Sequence, residues 1–176
     1  MRKVCSGSAG MKGWFTASLF DKGGGLLRCE KFTNTYTKAA RNAQLRSLLQ
    51  TTATPHLGST HYAKLLAFCT SDYPGTPADS DLGTVQAYES LSVLSDITIE
   101  SSKCTGTRQA TFSNTTGGLV TIKYIATTYG SNVAKNQVFQ MANIGLYGVP
   151  NGGGLVIDYV WEFQYDISFS GGIPTS

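Results

Sequence analysis

The last long stretch of the chain, LVIDYVWEFQYDISF at positions 155–169, alternates between apolar and polar residues. Every odd position is apolar or aromatic, and from Asp158 onward every even position except Val160 is polar. Successive side chains of a β-strand point to opposite faces, so this pattern predicts a strand with one buried and one wet face. At about 3.3 Å per residue the strand would span roughly 50 Å. We therefore expect a long strand in a large antiparallel sheet, with Trp161 on its buried face.

Seven other segments have strand-like composition and are bounded by turn residues. They are 14–20, 26–33, 62–68, 93–100, 107–113, 119–129 and 137–147. The glycine clusters at 23–25 and 152–154 are each followed by a strand pattern, which favours hairpin turns over phosphate-binding loops. The segment 71–84, rich in Pro, Gly and Asp, is predicted to be an irregular loop. Together these patterns predict a mainly β fold, an antiparallel, jelly-roll-like β-sandwich of about eight strands.

The hydrophobic period changes in one place, near residues 38–50. Apolar residues there recur close to helical spacing, namely Ala39, Ala40, Ala43, Leu45, Leu48 and Leu49. This spacing predicts one α-helix, the only one expected in the chain. At 176 residues the chain is long enough for one domain with its own core. We expect that domain at 13–170, between a flexible N-terminal arm at 1–12 and a short C-terminal tail at 171–176.

The predicted arm is the candidate interface with a partner. The residues that we expect to contact the partner are Arg2, Lys3, Val4 and Met11. Ordering a residue costs roughly 1–2 kcal/mol of backbone entropy. Since so few side chains can offset that cost, we expect the arm to be ordered only on a partner surface, with the two cations facing carboxylates.

Composition narrows the classes of partner. Charged residues make up 14% of the chain, against about 25% in average soluble domains, and Ser, Thr and Gly together supply about a third of it. The net charge of +3 comes without a basic block, so we expect no direct contact with nucleic acid. No apolar stretch reaches membrane-spanning length, and residues 1–12 lack the apolar run of a signal peptide. We therefore expect no membrane contact, and free thiols as in a reducing compartment.

Candidate chemistry is sparse. His56 and His61 do not combine with the four cysteines in a zinc spacing. Carboxylates four residues apart on the last strand, such as Asp158 and Glu162, would be about 13 Å apart, beyond the ~5–9.5 Å of a glycosidase pair. The aspartates that could form a calcium site lack a D-x-D-x-D-G run; they are Asp72, Asp79, Asp81 and Asp96. We expect no cofactor, no metal and no enzymatic activity.

The order of elements is similar to a known group of proteins. A hairpin with a glycine turn (WFTASLFDKGGGLLRCEKF) is followed by Asn34-Thr35 near the predicted helix start. A loop then carries Pro77-x-x-x-Asp81-Leu82, and a late strand ends in Gly145-Leu146-Tyr147. Over roughly residues 13–148 this resembles the structural proteins of tailed-bacteriophage virions, found among head decoration and tail-associated proteins. The resemblance implies a non-enzymatic β-sandwich located in the virion.

Three functions follow as expectations. The leading one is a capsid cement or decoration protein that bridges subunits of the major capsid protein, as a homo-oligomer. The second is a tail or fibre component that contacts the host surface. The third is a carbohydrate-binding β-sandwich, since the aromatic row of the last strand could stack on sugars, although its alternation with Ile157 and Ile167 indicates a core. Copy number per particle separates the first two, and glycan binding separates the third.

Overall fold

The computed structural model describes residues 5–36, 64–74, 82–92, 98–99, 103–128 and 138–169. These residues form ten strands and no helix. Eight strands have five or more residues: β1 (Cys5–Phe20), β2 (Leu26–Thr33), β4 (Leu65–Cys69), β5 (Val85–Ser90), β7 (Lys103–Ser113), β8 (Val120–Thr128), β9 (Val138–Val149) and β10 (Gly154–Phe169). Two have only two residues each: β3 (Thr35–Tyr36) and β6 (Thr98–Ile99).

The strands form two five-stranded sheets in which every pairing is antiparallel. The first sheet has the order β2-β1-β10-β7-β6, and the second has the order β3-β9-β8-β4-β5. The chain passes between the sheets at Asn34, at the turn before β8 and at the turn before β10. The predicted mainly β, antiparallel character is confirmed.

The main hydrophobic core contains residues of both sheets. From β1 and β10 it includes Phe15 and Ala17 opposite Tyr159 and Ile157, in agreement with the predicted alternation. The second sheet contributes apolar side chains of β4, β8 and β9: Leu66, Phe68, Ile122, Ile125, Phe139, Ala142, Ile144, Tyr147 and Val149. Trp161 packs against this core edge-to-face with Tyr159, but it is only half-buried.

The second sheet is also covered on its other face. A separate cluster there contains Cys69 and Tyr124 together with Ala67, Leu82, Ala126, Val138 and Met141. Tyr73 packs edge-to-face on Tyr124, and the Tyr124 hydroxyl donates a hydrogen bond to the carbonyl of Leu82. The segments on either side of residues 75–81, predicted as an irregular loop, thus cover this side of the sheet.

The structure corrects the predicted start of the domain. Residues 5–12 were expected in a flexible arm, yet they continue β1 and pair with β10, from Cys5 opposite Phe169 to Lys12 opposite Glu162. The reason is tertiary: β10 is long enough to pair residues whose own sequence, CSGSAGMK, consists mostly of small side chains and alternates only weakly. Residues 1–4, the whole predicted tail at 171–176 and the helix predicted near 38–50 lie outside the described residues.

The structure also differs from the predicted strands at β5 and β6. β5 was not predicted, because VQAYES contains no regular alternation of strongly apolar and polar residues. It pairs with β4 at the border of the second sheet. Of the strand predicted at 93–100, Thr98 and Ile99 form β6, while residues 93–97 and Glu100 lie outside the described part.

Candidate interaction surface

Only one of the four predicted interface residues lies in the part of the chain that the structure describes. Arg2, Lys3 and Val4 lie outside the described residues. Met11 lies within β1, opposite Phe163 of β10. The candidate surface must therefore be sought among the exposed side chains that the structure does describe.

Four leucines are the large hydrophobic side chains most exposed to solvent in the described part of the chain. They are Leu26 (58% exposed), Leu27 (56%), Leu119 (69%) and Leu146 (68%). We call these four residues the leucine edge. Scattered exposed leucines are ordinary on protein surfaces, and only a contiguous group suggests binding. The question is therefore how the fold positions them.

Leu119 and Leu146 lie on the same outer side of the second sheet. The side chain of Leu119 lies over Gly148 of β9, where an added Cβ would be 3.4 Å from Leu119 Cδ1. Leu146 is two residues from Gly148, so it points to the same side. It is presented by a bulge, since residues 144–146 of β9 all lie opposite Lys123. Within the bulge Gly145 has φ +72°, and its N–H donates to Asn143 Oδ1 at 2.9 Å.

Arg28 connects β2 to this surface. Its Nη1 donates to the carbonyl of Leu146 at 3.1 Å, and its guanidinium carbon lies 4.2 Å from the centroid of the Tyr147 ring. Nε and Nη2 donate to the two carboxylate oxygens of Glu30 at 2.9 and 2.8 Å. The bidentate ion pair of Arg28 and Glu30 therefore lies next to Leu146, where β2 comes close to β9.

The electrostatics of this pair follow from its hydrogen bonds. Hydrogen bonding to Glu30 raises the pKa of Arg28, and the same contact lowers the pKa of Glu30. Burial raises the pKa of Tyr147, with the Arg28 charge acting in the opposite direction. Arg28 and Glu30 are therefore both charged at neutral pH and available to a partner with alternating charges. No pattern in the sequence pointed to them, because their role depends on β2 meeting β9.

The outer face of the first sheet is polar, as predicted for the wet face of β10. Gln109 Nε2 donates to Asp158 Oδ1 at 2.8 Å, and Lys103 Nζ lies 3.7 Å from Glu162 Oε2. Lys31 Nζ lies 3.8 Å from the ring centroid of Trp14. Asp158 and Glu162 thus have partners within the sheet, and they do not form a carboxylate pair.

The remaining candidate residues do not converge on one site. Cys29, Cys69 and Cys104 are free thiols. Asp72 pairs with Lys123 at 2.6 Å, and this contact lowers the pKa of Asp72, while His56, His61, Asp79, Asp81 and Asp96 fall outside the described residues. Within the described ranges, no group of three or more His, Cys, Asp or Glu side chains could hold a metal ion. The same ranges contain no helix with the length and apolar character to span a membrane.

No protein-family model, curated protein or solved structure matches this chain. The bacteriophage resemblance of the sequence therefore stays a prediction. The leucine edge is the feature of the described structure from which a function can be argued.

Proposed function

We propose that this chain is a non-enzymatic structural protein of a bacteriophage virion, a cement or decoration protein that bridges subunits of the major capsid protein. The observation that carries this proposal is the exposed pair Leu119 and Leu146 of the leucine edge, which lie on one side of the second sheet, where Leu146 is held by a bulge and by its contact with Arg28. Such a rigid apolar surface binds another protein without a large loss of conformational entropy.

The proposal includes a fold more specific than two antiparallel sheets. We propose that the sheets pack face to face as a jelly-roll-like sandwich. Two features support it: one core draws on both sheets, and the chain crosses between them at three described points. The first and last long strands, β1 and β10, pair along 16 positions in the first sheet. A chain that crosses repeatedly between two sheets ties them together covalently. Such a link suits a protein that must resist mechanical stress in a particle.

The first test asks whether the chain is present in the particle, and the second asks whether Leu119 and Leu146 are needed for particle binding. Mass spectrometry of purified particles should detect the chain, in many copies for a head protein and in few for a tail protein. Recombinant protein should then bind particles that lack it. The double variant Leu119→Ser/Leu146→Ser should bind at least about tenfold more weakly, a loss near 1.4 kcal/mol, while the control Gln86→Ser, on the exposed side of β5, should bind normally.

Two results would contradict the proposal. Absence of the chain from purified particles would exclude a virion role. Unchanged particle binding by a folded Leu119→Ser/Leu146→Ser variant would show that these leucines are not the contact surface. The virion role itself would then still be decided by mass spectrometry of the particles.

A further inference from the structure

β2 is one of the two terminal strands of the first sheet in the part of the chain that the structure describes. Six of its eight residues are exposed, including Leu26 and Leu27. A strand at the border of a sheet presents unpaired backbone N–H and C=O groups, which can pair with a strand of another chain. By comparison, β5 at the border of the second sheet is mostly half-buried. Of these two border strands, β2 is the more accessible.

Symmetry restricts how two copies of β2 could pair. Most homo-oligomers are closed by a twofold axis, which makes the interface self-complementary. In an antiparallel ladder, neighbouring residue pairs alternate between hydrogen-bonded and non-hydrogen-bonded types. A twofold axis relates each residue pair to another pair of the same type. The axis therefore cannot lie midway between two adjacent pairs, because adjacent pairs are of different types. It must pass through a residue that lies opposite its own copy.

The charges of β2 then select one register. An axis at Arg28, Glu30 or Lys31 would place like charges directly opposite each other, which is destabilising. An axis at Leu27 would leave Arg28 opposite the apolar Leu26. An axis at Cys29 places Arg28 of each copy opposite Glu30 of the other, forming two pairs of opposite charge.

We propose that two copies of this chain associate through β2, antiparallel and centred on Cys29, so that two five-stranded first sheets form one continuous ten-stranded sheet. In this register the opposite pairs are Cys29 with Cys29, Arg28 with Glu30, Leu27 with Lys31 and Leu26 with Phe32. The inference gives a surface to the homo-oligomer expected above. It does not require the chain to be a virion protein.

The side chains of β2 suit this pairing. Directly opposite residues have Cβ atoms about 4.5–5.5 Å apart, so the aliphatic part of Lys31 can cover the exposed Leu27 of the other copy. Arg28 and Glu30 already form a bidentate pair within each copy, and pairing would combine two such pairs into a cluster of alternating charge. The exposed Cys29 thiols would lie face to face at the axis, within the Cα separation of about 4.4–6.8 Å that a disulfide needs.

The first experiment measures the register in purified protein without particles. In a background with Cys5→Ser and Cys104→Ser, the oxidant diamide should link Cys29 to Cys29, with the two thiol hydrogens transferred to diamide. In the same background with Cys29→Ser, neither Leu27→Cys nor Lys31→Cys should link to itself, because each residue lies about 13 Å from its own copy. A mixture of the two variants should link rapidly.

The second experiment uses charge reversal. Arg28→Glu and Glu30→Arg should each weaken self-association by roughly tenfold in analytical ultracentrifugation, since each places two like pairs opposite one another. An equimolar mixture of the two variants should associate again as a mixed dimer. Circular dichroism melting of each variant verifies folding, and the mixture also controls for local damage, because repair requires the opposite charges to meet.

A monomer at all accessible concentrations, or rapid linking of Leu27→Cys to itself, would overturn the proposal. So would charge-reversed variants that associate no better together than alone. These outcomes are independent of particle binding, so the dimer and the virion role can fail separately.

Discussion

At the scale of single residues, Cys69 shows what burial does to an ionisable group. Its side chain is fully buried in the cluster on the outer side of the second sheet. Burial raises the pKa of its thiol to about 12, partly opposed by a hydrogen bond with Tyr124. The thiol is therefore neutral at physiological pH and is a poor nucleophile, since the thiolate is the reactive form.

Cys69 should therefore be unreactive in the native protein. At pH 8 the reagent DTNB should modify the exposed Cys29 quickly and Cys69 only after unfolding. Because the pKa of the Cys69 thiol is higher in the folded state than in the unfolded state, the neutral thiol favours folding. This contribution to stability is fully present below the unfolded pKa of 9.0 and is lost as the pH rises toward the folded pKa of about 12. The free energy of unfolding should fall by about 1.4 kcal/mol more per pH unit than in Cys69→Ala over that window. Equal slopes for the two proteins would contradict the burial of the thiol.

Tyr147 offers a second test at this scale. Its ring is fully buried, yet its hydroxyl has no hydrogen-bond partner among the described residues. Removing an unsatisfied buried hydroxyl should stabilise the protein, so we expect Tyr147→Phe to raise the free energy of unfolding by about 1 kcal/mol. Tyr124→Phe is the matched control and should lower it, because the Tyr124 hydroxyl donates to Leu82. Thermal melting of both variants measures the two signs, and a loss in both would show that the Tyr147 hydroxyl has a partner.

At the scale of elements, Asn114 holds two connections between the sheets together. The residue is buried in the turn between β7 and β8, and its Nδ2 donates to the carbonyls of Gly118 and Val149 at 2.7 and 2.8 Å. Its Oδ1 accepts from both the backbone N–H and the hydroxyl of Thr116. Its backbone pairs with Gly152 and Gly153 in the turn before β10. One amide thus links the turn after β7 to the end of β9.

Replacing Asn114 should therefore destabilise the whole fold. Asn114→Ala removes four side-chain hydrogen bonds, one of them a buried bond to the carbonyl of Val149, so we expect a loss of about 2–4 kcal/mol. The neighbouring Thr115 is exposed, and Thr115→Ala should change stability by less than about 0.5 kcal/mol. Urea unfolding measures both. A change below 1 kcal/mol in Asn114→Ala would contradict the linking role of this side chain.

The turn before β10 also depends on a glycine without a side chain. A Cβ on Gly153 would lie 2.6 Å from the carbonyl oxygen of Phe20 and 2.8 Å from Pro150 Cγ. Gly118, in the turn before β8, would meet no atom within 4 Å. Gly153→Ala should therefore lose roughly 1–3 kcal/mol through overpacking, whereas Gly118→Ala should be near neutral. Comparable melting temperatures for the two variants would show that the turn can rearrange.

At the scale of the whole molecule, the two sheets depend on long pairings between distant parts of the sequence. β1 pairs with β10 along 16 positions, although about 150 residues separate them in the chain. At its far end β10 relies on β1 more than on β7, because the β7 pairing ends at Gln164 opposite Lys103. Residues 165–169 therefore pair with β1 alone among the described strands.

This pairing changes the expected effect of truncation. A flexible arm would leave the melting temperature unchanged when residues 2–10 are deleted, but the structure predicts a lower one, because residues 164–169 lose their partners in β1. Hydrogen exchange should become faster at 165–169. Deleting only residues 2–4 is the control and should leave both measurements unchanged. If only the longer deletion weakens particle binding, the effect comes from β1, and if the shorter one does so as well, Arg2, Lys3 and Val4 carry the contact.

The sequence alone determined which residues of the long strands face the core. Side-chain direction depends only on the local backbone, so the alternation of β10 predicted the buried Leu155, Ile157 and Tyr159 and the polar Asp158. Glycine-rich turns were recognisable for the same local reason. The mainly β, antiparallel character follows from many such segments joined by short turns.

Only the tertiary structure decided the features that depend on distant neighbours. Residues 5–12 became a strand because β10 supplied hydrogen-bond partners, and β5 formed at the border of β4 without a clear pattern of its own. The contact of Arg28 with Leu146 arises where β2 comes close to β9, 118 residues away in sequence. Backbone hydrogen bonds are available to any sequence, so strand pairing is set by which segments the packing of the core brings side by side.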